Sequence, residues 1–215
     1  MKYLRKFATK ADMADLEQPN VVLIGDTEKV LYNAKIYANG VYIQHIDGRL
    51  YTSEEWETKA FANSKANGIA VIDADCSFVL AKEDCGSEKW GSTSILVSGV
   101  AVKDSSVVSV SYSDFAGLAN TEILVSKGGY PAAQICADYI FPNGSRGYLA
   151  SAGEWYCVTG KYVTEVSNLL TQIGGAELQL DYWTSTQRNT KNAWGTRYND
   201  SKSKSQPVRA FTTLE

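Results

Sequence analysis

The sequence predicts an α+β fold, because its strand-like and helical patterns occupy separate stretches of the chain. Short runs rich in Val, Ile and Tyr, punctuated by Gly and Asp, fill much of residues 35–112 and are typical of strands. The strongest helical periodicity comes later, between Ser151 and Ile173. The chain shows neither an internal repeat nor the helix-strand alternation of a Rossmann-type sheet.

The composition excludes several classes of protein. A chain of 215 residues with 44% hydrophobic and 21% charged residues can bury the core of one large domain, with or without a small appendage. A net charge of -3 lacks the basic excess of a dedicated nucleic-acid-binding protein. No stretch approaches the roughly 20 apolar residues that span a bilayer. No apolar run follows the charged start, so we expect neither membrane insertion nor a classical signal peptide.

The first predicted element is a β-hairpin. Residues 20–25 and 29–32 are strand-like and flank the turn-like pair Asp26-Thr27. A hairpin is barely stable by itself, so it needs a surface to dock on. We therefore expect residues 1–35 to form an anchor or oligomerisation segment of a homo-oligomer and residues 36–215 to form the main domain.

The main domain starts with predicted strands and a helix. Thr52 and Glu55 have the spacing of a capping box, and the pattern predicts a helix over residues 53–67 that ends at Asn67-Gly68. Strands or extended loops are predicted at residues 69–72, 77–81, 94–102 and 107–112.

Two helices are predicted in the second half of the chain. Pro131 suits the first turn of a short helix. Ser151 and Glu154 form a second capping box, and apolar residues at intervals of three and four continue the helix to Ile173. Gly160 favours a break, and Gly174-Gly175 ends the helix. Strands are predicted at residues 178–182 and 208–211.

Residues 183–206, here called the polar segment, contain no Val, Ile, Leu, Met or Phe. Such a stretch is not expected to supply a core. Trp183, Trp194 and Tyr198 are expected to pin it to the domain and leave the polar side chains exposed. Five basic residues face a single acidic residue, Asp200, which favours an anionic ligand. The alternative is a solvated surface loop without a binding role.

Several short motifs occur in the order Gly147-Tyr148-Leu149, Gly153-Glu154-Trp155, Ile173-Gly174-Gly175, Tyr182-Trp183-Thr184-Ser185-Thr186-Gln187, Asn192-Ala193-Trp194 and Val208-Arg209-Ala210-Phe211. This order resembles the C-type-lectin-like variable proteins of diversity-generating retroelements and their relatives in the formylglycine-generating-enzyme-like superfamily. The likeness covers residues 36–215. It implies a C-type-lectin-like fold, with mixed short strands and two or three helices, that displays a hypervariable surface.

The resemblance also implies which residues bind ligand. Tyr182, Trp183, Val208, Arg209 and Phe211 match the scaffold, and so does Trp194, which we keep among the ligand-binding candidates as well. The candidates of the polar segment are Arg188, Asn189, Thr190, Lys191, Asn192, Trp194, Thr196, Arg197, Tyr198, Asn199, Asp200, Ser201, Lys202, Ser203 and Lys204. Adenine-directed mutagenesis of Asn codons does not yield Lys or Gln, so the lysines need other template codons or are fixed.

The amino-terminal phrases Leu4-Arg5-Lys6-Phe7, Pro19-Asn20-Val21-Val22-Leu23-Ile24 and Val30-Leu31-Tyr32-Asn33 resemble leaders of phage structural proteins of gut bacteria. Together the two resemblances imply a non-enzymatic receptor-binding protein in a phage tail or at a cell surface. Its expected partner is a host-surface protein or glycan. The alternatives are an enzyme of the formylglycine-generating type and a purely structural virion subunit.

Catalytic and metal chemistry find little support in the sequence. Cys136 and Cys157 are the candidate reactive pair of the enzyme alternative, but neither lies in a matching motif. The four cysteines are expected to be buried, reduced thiols. His45 is expected to be structural. Asp73, Asp75 and Asp84 could bind a cation as one acidic group, but a solvated turn is the preferred interpretation. We therefore expect no cofactor, no calcium and no other metal site.

Overall fold

The computed structural model describes residues 38–214 and, before them, the strands β1 (Arg5–Lys6), β2 (Asn20–Ile24), β3 (Thr27–Tyr32) and β4 (Lys35–Tyr37). These four strands form one sheet in the order β1-β2-β3-β4. β2 and β3 pair antiparallel, so the predicted hairpin is confirmed. Asp26 of the predicted turn and parts of the predicted anchor segment lie outside the described residues.

Eleven further strands follow among the described residues. They are β5 (Gly40–His45), β6 (Leu50–Tyr51), β7 (Ala66–Ile72), β8 (Ser77–Leu80), β9 (Gly86–Lys89), β10 (Tyr148–Leu149), β11 (Trp183–Gln187), β12 (Asn192–Gly195), β13 (Asn199–Ser201), β14 (Ser205–Val208) and β15 (Ala210–Thr213). The helices are α1 (Ser53–Thr58), α2 (Gly117–Lys127), α3 (Pro131–Asp138), α4 (Ala152–Tyr156) and α5 (Val163–Gln172). The α+β class is confirmed.

The main domain is organised around a six-stranded sheet in the order β10-β15-β8-β7-β5-β6. β7 is buried at every position, and its side chains alternate between two apolar clusters. Ile69 and Val71 pack on one face with Trp155 of α4 and Leu170 of α5. The other face, with Ala70, packs against α2, α3 and buried tryptophans. The sheet is therefore covered on both faces, which is why residues 69–72 of β7 are all apolar.

The helix predicted over residues 53–67 is wrong in length. α1 begins at the predicted capping box, in which Thr52 and Glu55 bond to each other's backbone N–H. It ends after six residues, and Ala60 has a left-handed φ of 50°. Asn67 and Gly68, predicted to stop the helix, lie inside β7, where a Cβ at Gly68 would clash with the carbonyl oxygen of Leu80. Pairing of β7 with β8 overrides the local helical preference.

Most of the predicted helix from Ser151 is confirmed, with its interruption. The capping box between Ser151 and Glu154 is present, and α4 runs into a π-helical turn, Cys157–Lys161, before α5. The break thus lies beside Gly160, as predicted, and Gly174 ends the helical region with a φ of 67°. The helix at Pro131 is also confirmed.

Other predictions are wrong. Residues 94–102 are irregular, and residues 178–182 are not a strand. Val108–Ser113 is a 3-10 helix. Helix α2 was not predicted, because its apolar residues lack a clear helical stripe. None of the helices in residues 38–214 is long and apolar enough to traverse a lipid bilayer.

Candidate ligand-binding surface

The polar segment is built of strands, not of a loop. β11, β12 and β13 form a three-stranded antiparallel sheet, and β14 pairs with β9. In this sheet Trp183 lies opposite Gly195, and Trp194 lies opposite Asn199. The segment is therefore held along most of its length by backbone hydrogen bonds.

β11 is buried at all five positions, and its polar side chains are bonded inside the protein. The Thr184 hydroxyl donates to the carbonyl oxygen of Trp194 at 2.8 Å, and the Thr186 hydroxyl donates to Asp114 Oδ2 at 2.6 Å. The Gln187 amide accepts from the backbone N–H of Val97 and donates to its carbonyl oxygen. The prediction that this stretch supplies no core is wrong for β11, because each polar group has a fixed partner.

As predicted, Trp183 and Trp194 hold the polar segment against the domain, but both side chains are fully buried. The indole N–H of Trp183 donates to the carbonyl oxygen of Glu88 at 2.9 Å. The indole N–H of Trp194 donates to the carbonyl oxygen of Lys103 at 2.8 Å. Trp194 is 1% exposed, so it belongs to the scaffold. Its inclusion among the ligand-binding candidates is therefore wrong. Tyr198, expected to pin, is instead 53% exposed.

The expected exposure is also wrong for two other candidates, Lys202 and Thr196. The Lys202 ammonium donates to Ile95 O and Gln187 Oε1 and lies 4.6 Å from the centre of the Trp90 ring. Burial lowers the pKa of Lys202 to about 8. Thr196 is buried because its hydroxyl donates to Asp181 Oδ1 at 2.7 Å. Sequence composition does not separate these two from their exposed neighbours.

The remaining twelve candidates are exposed or half-buried, and we call them the display surface. They are Arg188, Asn189, Thr190, Lys191, Asn192, Arg197, Tyr198, Asn199, Asp200, Ser201, Ser203 and Lys204. They lie on β12, β13 and the turns that follow β11, β12 and β13.

The turn between β12 and β13 is held in place by hydrogen bonds to the buried side chain of Asp181. The Asp181 carboxylate accepts from the Thr196 hydroxyl and from the backbone N–H of Arg197. Burial raises the pKa of Asp181, although these hydrogen bonds lower it. A Cβ at Gly195 would lie 2.6 Å from this carboxylate, so only glycine allows the close approach. Arg197 and Tyr198 thus project from a rigid turn.

Charge on the display surface is partly neutralised. Lys204 pairs with Asp200 at 2.8 Å, and Arg188 pairs with Asp104 at 3.9 Å. Lys191 and Arg197 are exposed and make no ion pair with any residue between 38 and 214. These two side chains therefore carry the unpaired positive charge of the display surface.

Two grooves adjoin the Arg197-Tyr198 turn. The larger, of about 590 Å³, has Arg197 on its wall together with Leu178 and Leu180. The smaller, of about 230 Å³, is lined by Tyr198 and Leu180. Leu180 is 75% exposed and lines both grooves. This apolar projection was missed because residues 178–182 had been predicted as a strand.

Tyr112 and Tyr156 also line the larger groove. Their rings stack at 4.3 Å with an angle of 13° between the planes. Tyr156 ends α4 at the π-helical turn, an irregularity that is frequent at functional sites. No sequence signal linked these tyrosines to the polar segment, because they lie far from it along the chain.

The cysteines of the enzyme alternative are not partners of each other. Cys157 Sγ lies 2.9 Å from Cys76 Sγ, and Cys136 lies in the apolar cluster against which Cys85 packs. Both Cys136 and Cys157 are 0% exposed. The pair that the enzyme alternative needs is therefore not assembled in this fold.

The other residues considered for chemistry are held in structural contacts. His45 bonds to Asp47 at 2.9 Å and packs against Phe61. Asp73 is buried and pairs with Lys161 at 2.9 Å, so the prediction that it lies in a solvated turn is wrong. Asp84 instead pairs with Arg209 at 2.6 Å, and therefore does not join Asp73 in one acidic group.

The chain matches no family model, and no curated protein matches it. It is similar in structure to a solved fimbrial protein from Bacteroides ovatus, with a TM-score of 0.56 and 14% sequence identity. The similarity covers 87% of this chain and 55% of the fimbrial protein, so the chain spans little more than half of that protein's length. At this identity the likeness concerns the fold alone.

Proposed function

We propose that this chain is a non-enzymatic binding protein of the C-type-lectin-like variable type. It recognises a host-surface protein or glycan through the display surface. One observation carries the proposal: the polar segment divides into buried residues with fixed partners, such as Thr186 and Lys202, and outward-pointing residues on the same short strands. A scaffold of this kind tolerates changes at its outer positions without loss of its core.

The ligand binds at the Arg197-Tyr198 turn and in the grooves beside it. An exposed tyrosine and an exposed leucine supply apolar contact, and Lys191 and Arg197 attract negative charge. Aromatic, Asn, Ser and Arg side chains are also the residues that antibody paratopes use. An acidic glycan or an acidic protein patch fits this chemistry.

The chain acts as the binding end of a surface fibre. Two likenesses support this location: the amino-terminal phrases resemble leaders of phage structural proteins, and the fold is similar to that of a fimbrial protein. Residues 1–35 anchor or oligomerise the chain, so that several copies bind together and compensate for modest affinity at each site.

The binding test compares one single variant of the full chain with one matched control. Tyr198→Ala removes an aromatic side chain that is 53% exposed, and Ile140→Ala removes an apolar side chain of the same exposure elsewhere. We expect Y198A to lose at least about tenfold in affinity on an array of bacterial surface glycans or on intact bacteria, and I140A to bind as the wild type does.

A second comparison tests the charge. Lys191→Ala with Arg197→Ala is compared with Lys65→Ala combined with Lys127→Ala, which removes the same charge from exposed positions outside the polar segment. Protease treatment of the cells distinguishes a protein receptor from a glycan. Equal binding by all four variants would refute the display surface as the binding site.

A genomic observation tests the variable-protein assignment. We expect a reverse-transcriptase gene nearby and a second copy of the sequence coding for residues 183–206 that differs at adenines. The differing codons should fall at display-surface positions and spare buried ones such as Thr186. Differences spread equally over buried positions would contradict the proposal.

The fimbrial likeness also favours a second candidate, a structural subunit of a surface appendage without receptor specificity. Such a subunit needs neither a template copy nor ligand affinity. Assembly of the full chain into fibres, with no binding to cells or glycans, would support this candidate instead.

A further inference from the structure

The four cysteines of the chain lie in two facing pairs. Cys76 follows β7, and Cys157 follows α4, yet their sulfur atoms are 2.9 Å apart in the interior. Cys85 follows β8 and packs against the apolar cluster that contains Cys136 of α3, close enough for the two thiols to interact. Pairs that are 81 and 51 residues apart in sequence are thus brought together by the fold, and no cysteine is left over.

The separation of Cys76 and Cys157 lies between the sulfur-sulfur distance of a disulfide and that of two thiolates on one metal ion, so the neighbouring groups decide between the two. A disulfide has a sulfur-sulfur distance of about 2.05 Å, so the two atoms need less than about 1 Å of approach. Two thiolates on one tetrahedral zinc ion, each about 2.3 Å from it, lie about 3.8 Å apart.

Asp73 is the only carboxylate grouped with these two sulfurs in the described part of the chain. Its Oδ1 already accepts from the Lys161 ammonium, and its Oδ2 accepts from the Tyr162 hydroxyl. A bound cation would have to displace the ammonium. The surroundings of the pair therefore do not favour a metal.

We propose that Cys76 and Cys157, and likewise Cys85 and Cys136, form two disulfide bonds, and that the protein matures in an oxidising compartment. The proposal replaces the expectation of four reduced thiols. It goes beyond the binding function and does not depend on it.

Each bond forms by exchange with an oxidised dithiol, such as a thiol-disulfide oxidoreductase or oxidised glutathione. The thiolate of one cysteine attacks the donor disulfide, which gives a mixed disulfide and releases one donor thiolate. The second cysteine then attacks the mixed disulfide, forms the new bond and releases the second donor thiolate. The two protons lost by the cysteines pass to the donor, which is reduced as the protein is oxidised.

The bonds form before folding is complete. Cys136 and Cys157 are fully buried in the folded protein. The hydrogen bond with Cys157, together with burial, raises the pKa of Cys76, which makes its thiol a poor nucleophile after folding. The first bond ties the β7-β8 turn to the end of α4, and the second ties the chain after β8 to α3.

The test is to refold the full chain in a mixture of reduced and oxidised glutathione, block free thiols with iodoacetamide and map disulfides by mass spectrometry. Trypsin cuts after Lys82, Arg146 and Lys161 among other sites, so every cysteine falls in a separate peptide. We expect no alkylated cysteine, an intact mass lower by four hydrogens, and the linkages of Cys76 to Cys157 and Cys85 to Cys136.

Two double variants check each bond by itself. Cys76→Ala with Cys157→Ala should keep the other bond and a mass lower by two hydrogens, and Cys85→Ala with Cys136→Ala should do the same. We also expect the wild type to unfold at a lower urea concentration once it is reduced. Four alkylated cysteines after refolding, a linkage of Cys136 to Cys157, or zinc retained by the reduced chain would each overturn the proposal.

Discussion

Glu154 gives the sharpest prediction about stability. Its carboxylate lies in the capping box of α4, where Oε2 accepts from the backbone N–H and the hydroxyl of Ser151, and Oε1 accepts from the Tyr148 hydroxyl. The side chain is almost fully buried. Burial raises the pKa of Glu154 from 4.5 to about 7, although these hydrogen bonds lower it.

The sign of the pH dependence follows from this direction. Between pH 4.5 and 7 the folded state retains a proton that the unfolded state releases, so stability falls as pH rises through this window. The difference of about 2.5 pKa units corresponds to about 3 kcal/mol, present below the unfolded pKa and lost above pH 7. Glu154→Gln remains neutral at every pH and can still cap the helix.

We therefore expect E154Q to equal the wild type or fall slightly below it at pH 4.5, and to exceed it by up to about 3 kcal/mol at pH 8. Urea unfolding at several pH values, followed by circular dichroism, measures this difference. Glu55→Gln is the matched control, because Glu55 has the same position in the capping box of α1 but lies in solvent. If E154Q and the wild type had parallel stability curves from pH 4.5 to 8, the reasoning would be wrong.

Three further changes separate scaffold from surface in urea unfolding. Lys202→Ala removes a buried ammonium with two hydrogen bonds and should cost about 2 kcal/mol, whereas Lys204→Ala on the surface should leave the midpoint unchanged. Trp194→Ala should cost about 3–5 kcal/mol, and normal stability would show that this indole is not core. Gly68→Ala should cost about 3 kcal/mol by forcing β7 from β8, and a stable variant would disprove this contact.

Local sequence signals predicted the element boundaries that depend on near neighbours. Both capping boxes, the helix start at Pro131 and the hairpin of β2 and β3 are confirmed, because their partners lie within a few residues in the chain. The break beside Gly160 is confirmed for the same reason.

Contacts between residues far apart in the chain account for the features that the sequence did not predict. The end of the predicted helix gave way to β7 because residues 66–72 pair with β5 and β8, which no local pattern reveals. Thr186 and Gln187 looked like surface residues, yet Asp114 and Val97, about 70 and 90 residues away, complete their hydrogen bonds. A polar side chain can enter a core only where such a partner exists.

By itself the sequence determined the α+β class, the apolar material of the sheet and the polar character of residues 183–206. Only the tertiary structure decided which of those polar residues face solvent, which cysteines meet, and that Leu180 stands beside Arg197 and Tyr198. The physical reason is that exposure and pairing depend on what lies across from a residue in space, whereas periodicity and capping depend only on what lies beside it in the chain.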